Sequence, residues 1–95
     1  MKAAERKMAE ELMTLTLEAI EKTGSHVSFQ ISDYGPFIHI CAMENGFQEN
    51  GNFDGWFTIP YSVDKITQEM QEEAYAQAKS YLENLIQKAE ITGAA

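Results

Sequence analysis

Two histidines and one cysteine are the side chains of this sequence best suited to chemistry near neutral pH. His26, His39 and Cys41 fall in alternating stretches that read as strands, and they share one sheet face if those strands pair suitably. Zinc asks for a tetrahedral set of four ligands, and no second cysteine or nearby carboxylate pattern completes one. Cys41 becomes a nucleophile only beside a base, and His39, two residues back, is its neighbour on the same strand face. A free cysteine in a central strand is commonly a small buried hydrophobe with an inert thiol, which is the reading adopted for Cys41.

Asn50-Gly51-Asn52-Phe53-Asp54-Gly55 matches the opening of a calcium loop. Its first position is Asn where Asp is wanted, and Tyr61 stands at the twelfth, where a bidentate Glu closes the cage. A stretch of Asn, Gly and Asp between strands reads as a turn. Glycine-rich phosphate loops and a serine elbow are absent. The glutamates of the flanking segments form solvated faces without a paired-carboxylate arrangement. The residues therefore point to no catalytic group, no metal and no cofactor, and to a protein that is not an enzyme.

What positions these residues is a run of three strands between two helices. Residues 2–23 are expected to form the first helix. Ala4, Met8, Leu12, Leu15 and Ala19 make one stripe, and Ala9, Met13, Leu17 and Ile20 a neighbouring one. Two adjacent apolar stripes imply two contacts, one with a sheet and one with the other helix. Lys22 suits the last turn, and Gly24 supplies the stop.

Strand one is expected over His26–Ser32, with Val27, Phe29 and Ile31 on one face. Asp33-Tyr34-Gly35-Pro36 is a turn. Strand two, Phe37–Met43, is apolar on both faces and so belongs at the centre of the sheet. The connection from Glu44 to Gly55 is long for a hairpin and carries Phe47 and Phe53, and such loops are more often functional than decorative. Strand three, Trp56–Tyr61, contains Pro60 and belongs at an edge. Ser62 or Thr67 caps a second helix over 67–91, whose stripe is Met70, Ala74, Ala78, Tyr81, Leu85 and Ala89, widened by Leu82 and Ile86. The fold class is α+β: a three-stranded antiparallel meander flanked by an N-terminal and a C-terminal helix, in one domain over residues 1–95. The expected core is Leu12, Leu15, Phe29, Ile38, Ile40, Ile59, Ala78, Leu82 and Leu85.

A chain of 95 residues buries roughly 60–70% of its unfolded surface, which leaves little apolar material for a deep pocket. Its net charge of −8 disfavours direct binding to nucleic acid or anionic membranes and favours basic partners, although excess acid also keeps a small protein soluble. No apolar run reaches the roughly 18 residues of a membrane span, and the acidic N-terminus lacks the apolar core of a signal peptide. One cysteine cannot form an internal disulfide. Cytoplasmic residence is the expectation, in a bacterial host if the protein is phage-encoded. The element order resembles double-stranded-RNA-binding domains, yet the second helix opens TQEMQEE, where those domains need basic residues to straddle phosphates.

In size, acidity and element order the chain resembles the small anti-CRISPR proteins of phages and mobile elements. Some of these place acidic side chains of a helix–sheet–helix domain in the nucleic-acid site of a CRISPR nuclease. The resemblance implies a non-enzymatic inhibitor that docks an acidic surface onto a basic nucleic-acid-binding site of a host defence protein. No sequence motif carries it, so it assigns no residue.

The residues themselves mark a candidate surface. From Ser25 to Tyr61 there is no lysine or arginine, and Asp33, Glu44, Glu49 and Asp54 give the segment a charge of −4. With Val27/Phe29/Ile31, Ile38/Ile40/Ala42 and Phe57/Ile59 turned to the helices, the opposite face shows Phe37, His39, Met43, Trp56 and Thr58. Ringed by the four carboxylates, that face is the expected partner-binding site, with Asp33, Phe37, His39, Glu44, Glu49, Asp54 and Trp56 as its residues. The alternatives are that it cradles a small molecule or closes a homodimeric scaffold sheet on sheet.

Overall fold

The computed structural model describes residues 2–32, 36–61 and 68–92. The expected elements are all present and in the expected order. Helix α1 spans Ala3–Lys22, strand β1 His26–Ser32, β2 Phe37–Met43, β3 Gly55–Pro60, and helix α2 Gln68–Thr92. The strands form an antiparallel sheet in the order β1-β2-β3, so the doubly apolar strand is central and the proline-bearing one is at an edge. Asp33, Tyr34 and Gly35 of the first turn, and the candidate caps Ser62 and Thr67, lie outside the described residues.

Register fixes which side chains share a face. Ile40 is opposed by Phe29 and Phe57, Ile38 by Ile31 and Ile59, and Ala42 by Val27 and Gly55. That face carries both helices, α1 packed on β1 and α2 on β3. The helices run parallel and side by side, joined by Lys79–Glu11 at 2.6 Å and Lys22–Glu90 at 3.3 Å. Leu12, Ile38, Ile40, Ile59 and Leu82 are the largest fully buried side chains. Ala78 and Leu85 are buried with them, while Leu15 and Phe29, expected in the core, are half-buried at its margin.

Both helices rotate differently from the sequence expectation. In α1 the buried stripe is Glu5, Ala9, Leu12, Thr16 and Ala19. Ala4 is exposed, and so are Met13, Leu17 and Ile20. In α2, Gln71 takes the buried position expected of Met70, which is exposed. The reason is a polar joint between the N-terminal ends of the helices. The Gln71 amide donates to Glu5 Oε2 at 2.7 Å and to the Pro60 carbonyl at 2.9 Å, while the Lys2 backbone N–H donates to Glu5 Oε1 at 2.8 Å. Buried polar groups persist where they satisfy one another, and here they tie α1, α2 and β3 at one point. Thr16 similarly donates to the Leu12 carbonyl at 2.8 Å, which lets a hydroxyl sit in the core.

Candidate docking surface

The second sheet face is covered by neither helix. Its side chains form cross-strand rows: Ser32, Phe37 and Pro60; Gln30, His39 and Thr58; Ser28, Cys41 and Trp56; then His26 beside Met43. Phe37 is 39% exposed and Trp56 59%, both high for aromatic side chains on a regular strand. The Phe37 row and the Trp56 row lie four strand residues apart, roughly 13 Å along the backbone. Between them His39 is held at its Nδ1 by the Thr58 hydroxyl, 3.2 Å away, and its ring leans towards Phe37 with centroids 5.9 Å apart.

The long connection from Glu44 to Asp54 folds onto one end of this face. Phe47 meets the His26 ring edge-on at 5.2 Å, and Phe53 meets Trp56 in the same way at 5.2 Å. Met43 is buried beneath, with the Gln48 N–H directed at its sulfur, rather than standing open on the face as expected. Gly46 turns the loop at a φ of 91°, a conformation that favours glycine. His26, Phe47 and Phe53 thus join the surface, although they were not among the expected partner-binding residues. The aromatic residues in an overlong loop were the available signal.

The carboxylates divide into two groups. Glu49 and Asp54 are exposed on the loop. Glu44 does not join a rim around the open face, because its side chain turns towards α2. Its Oε2 accepts the Tyr81 hydroxyl at 2.7 Å, and Lys88 approaches its Oε1 at 3.9 Å. The Asp54 carboxylate accepts the Glu44 backbone N–H at 2.8 Å and so closes the base of the loop. Tyr81 lies against Gly55, where a Cβ would come within 2.7 Å of its Cζ. Burial, then the Glu44 carboxylate, pushes the Tyr81 hydroxyl well above the ordinary tyrosine range. Asp33, the fourth expected acid, lies outside the described residues.

Burial also raises the Cys41 thiol above its ordinary range, which keeps it protonated and a poor nucleophile at neutral pH. Among the described residues no group of three His, Cys, Asp or Glu side chains converges on a possible ion position. Asp54, the acid of the calcium-like stretch, is instead committed to the Glu44 N–H. Four hollows in the described surface hold about 110 to 200 Å³, below the roughly 300 Å³ at which ligand clefts begin. Among the described residues no helix is long and apolar enough to cross a membrane.

Every lysine and arginine of the described residues belongs to α1, its N-terminal cap or α2. Among the described residues the open face is therefore free of cationic side chains and carries aromatic groups beside exposed carboxylates. Such a face is equipped to bury Trp56 and Phe37 against a partner while meeting positive charge at the loop. Compared with protein-family models, curated proteins and solved structures, the chain shows no significant match.

Proposed function

We propose that this protein acts by binding rather than by catalysis, docking its open sheet face and Glu44–Asp54 loop onto a basic surface of another protein. The observation that carries the reading is the exposure of Trp56 and Phe37 on a face that neither helix covers, in a segment without lysine or arginine. Large aromatic side chains in the centre of a patch dominate binding energy once desolvated. Glu49 and Asp54 supply the charge that steers a basic partner, while Glu44 contributes by holding the loop to α2.

The partner class that the charge favours is a nucleic-acid-handling protein, whose phosphate-binding arginines and lysines also pair with carboxylates. The specific case is an inhibitor that keeps nucleic acid out of a host defence enzyme such as a CRISPR nuclease, as some of the small anti-CRISPR proteins do that the chain resembles in size, acidity and element order. The four hollows described above are each smaller than a typical ligand cleft, which weighs against the small-molecule alternative.

The test is affinity capture from a bacterial lysate with the whole chain as bait, at low and then high salt. A basic, nucleic-acid-handling protein should be recovered at low salt and weakened at high salt. Recovery of no such protein under either condition would falsify the inhibitor reading.

A further inference from the structure

The two edges of the sheet are unlike. At the β3 edge Pro60 removes a donor, and Tyr81 presses on Gly55. Among the described residues the β1 edge carries no proline, charge or bulge to protect it, and only Ser32 at its end is engaged, its carbonyl accepting the Tyr61 hydroxyl. The strand sequence, HVSFQIS, contains no proline, lysine or glycine, all seven residues pair regularly with β2, and no further strand lies beyond it among the described residues.

Above that edge runs the stripe of α1 that the core does not use. Glu11 and Lys22 of α1 form ion pairs with α2, and Ala9, Leu12, Thr16 and Ala19 are buried. Helical spacing then places Met13, Leu17 and Ile20 on the flank away from α2, over the outer side of β1. They are 45%, 53% and 46% exposed. Ile31, at the end of β1 on the same sheet face, is 46% exposed. Strand edge and apolar stripe together form one continuous surface.

The geometry points to a second copy of this chain as its occupant, paired antiparallel, β1 to β1, into a six-stranded sheet. Three observations favour a copy over a foreign strand. First, the strand is palindromic in character about Phe29: antiparallel self-pairing centred there sets Phe29 against Phe29 and Ile31 against Val27 of the second copy, which covers Ile31. Second, α1 runs antiparallel to β1, so reversing the strands also reverses the helices and brings stripe to stripe. Four strand residues from Ser25 to Phe29 rise roughly 13 Å. That height corresponds to roughly nine residues back along α1 from Thr23 and lands between Met13 and Leu17. Third, the surface is electrically self-compatible. In a protein of net charge −8, neither HVSFQIS nor Met13/Leu17/Ile20 contains a lysine, arginine, aspartate or glutamate. The nearby Arg6 and Glu10 already neutralise each other at 2.8 Å. Two copies meeting through the outer faces of the helices would oppose exposed glutamates such as Glu21, Glu73 and Glu83. The pairing leaves both open faces free and sets them side by side on one platform.

Sedimentation equilibrium of the whole chain tests this, with Leu17→Glu and Leu17→Lys as variants, since an exposed side chain tolerates charge in the monomer. The expected result is a wild-type species of twice 10.7 kDa. Each variant alone should weaken association by roughly a hundredfold or more, because a lone charge would be buried. Mixing the two variants should restore a dimer. Circular dichroism confirms that the variants fold. A wild type that stays at 10.7 kDa overturns the inference. So does a dimer indifferent to Leu17 but broken by Trp56→Ala, which would place the contact on the open face. A monomer that captures an extended peptide along β1 would overturn it in favour of a foreign strand.

Discussion

The Tyr81 hydroxyl donates to Glu44 Oε2 at 2.7 Å and so fastens the first residue of the long loop to the middle of α2. The same ring covers Gly55, the first residue of β3. One side chain thereby fixes both ends of the connection that carries Phe47 and Phe53 to the open face. Tyr81→Phe keeps the ring and removes the donor. It should cost about 1.5 kcal/mol in urea unfolding, the low end for a hydrogen bond to a charged acceptor because this one is partly solvated.

The same contact sets a pH dependence. Tyr81 is shifted upward in the folded protein, chiefly by burial and then by Glu44; Tyr75 is shifted the same way, by burial and then by Glu11. A proton held more tightly in the folded state stabilises fully below the unfolded value of about 10, and that stabilisation is lost as pH rises above it. Stability measured at increasing pH should fall above about pH 10, and Tyr81→Phe should fall less steeply than wild type.

Gly55→Ala places a methyl group 2.7 Å from the Tyr81 Cζ. The ring is tied at its hydroxyl and packed against Phe57, with centroids 5.3 Å apart, so it cannot swing away without breaking the Glu44 bond. Overpacking of this kind should destabilise by about 1–3 kcal/mol, read as a lower urea midpoint.

The sheet centre tests the core assignment. Ile40 is fully buried between Phe29 and Phe57, and Ile40→Ala should cost about 2–5 kcal/mol. Ile31→Ala, at a half-exposed site on the same face, should change stability by about 0.5 kcal/mol or less in the monomer. Equal melting temperatures for the two variants would mean that the sheet faces are wrongly assigned.

These comparisons show what was legible in the sequence. Period-2 alternation located His26–Ser32, and a doubly apolar run between two turn stretches located Phe37–Met43, each to the residue. The third strand begins at Gly55 rather than Trp56 and ends at Pro60 rather than Tyr61, a shift confined to its ends. Helical periodicity was weaker evidence of orientation. Two adjacent stripes on α1 are similarly apolar, and the buried one, with Ala9, Leu12, Thr16 and Ala19, also carries the pairing of Glu5 with Gln71, 66 residues apart. That pairing is tertiary, so both residues looked like surface polars. Of the expected site, Phe37, His39 and Trp56 do share one face, since strand parity dictates it. Glu44 turned away because Tyr81 and Lys88 lie on the helix side of the sheet, a fact about packing rather than spacing.

The polar joint gives a further prediction. Glu5→Ala removes the acceptor of the buried Gln71 amide and of the Lys2 N–H. It should destabilise by about 1–3 kcal/mol, while Glu10→Ala on the exposed side should lie within about 0.5 kcal/mol of wild type.

The central claim is that the open face is the docking surface, and Trp56, the sole tryptophan, reports on it directly. Its fluorescence should be titrated with the basic protein captured by the wild-type chain, alongside Trp56→Ala and a variant carrying Glu49→Gln and Asp54→Asn. Docking predicts a saturable blue shift as the exposed indole leaves water. It also predicts an affinity loss of roughly 30-fold or more for Trp56→Ala, carried by faster dissociation, and slower association with a flatter salt dependence for the neutralised variant. A complex that forms with the indole still solvated, and with equal affinity for wild type and Trp56→Ala, would contradict it.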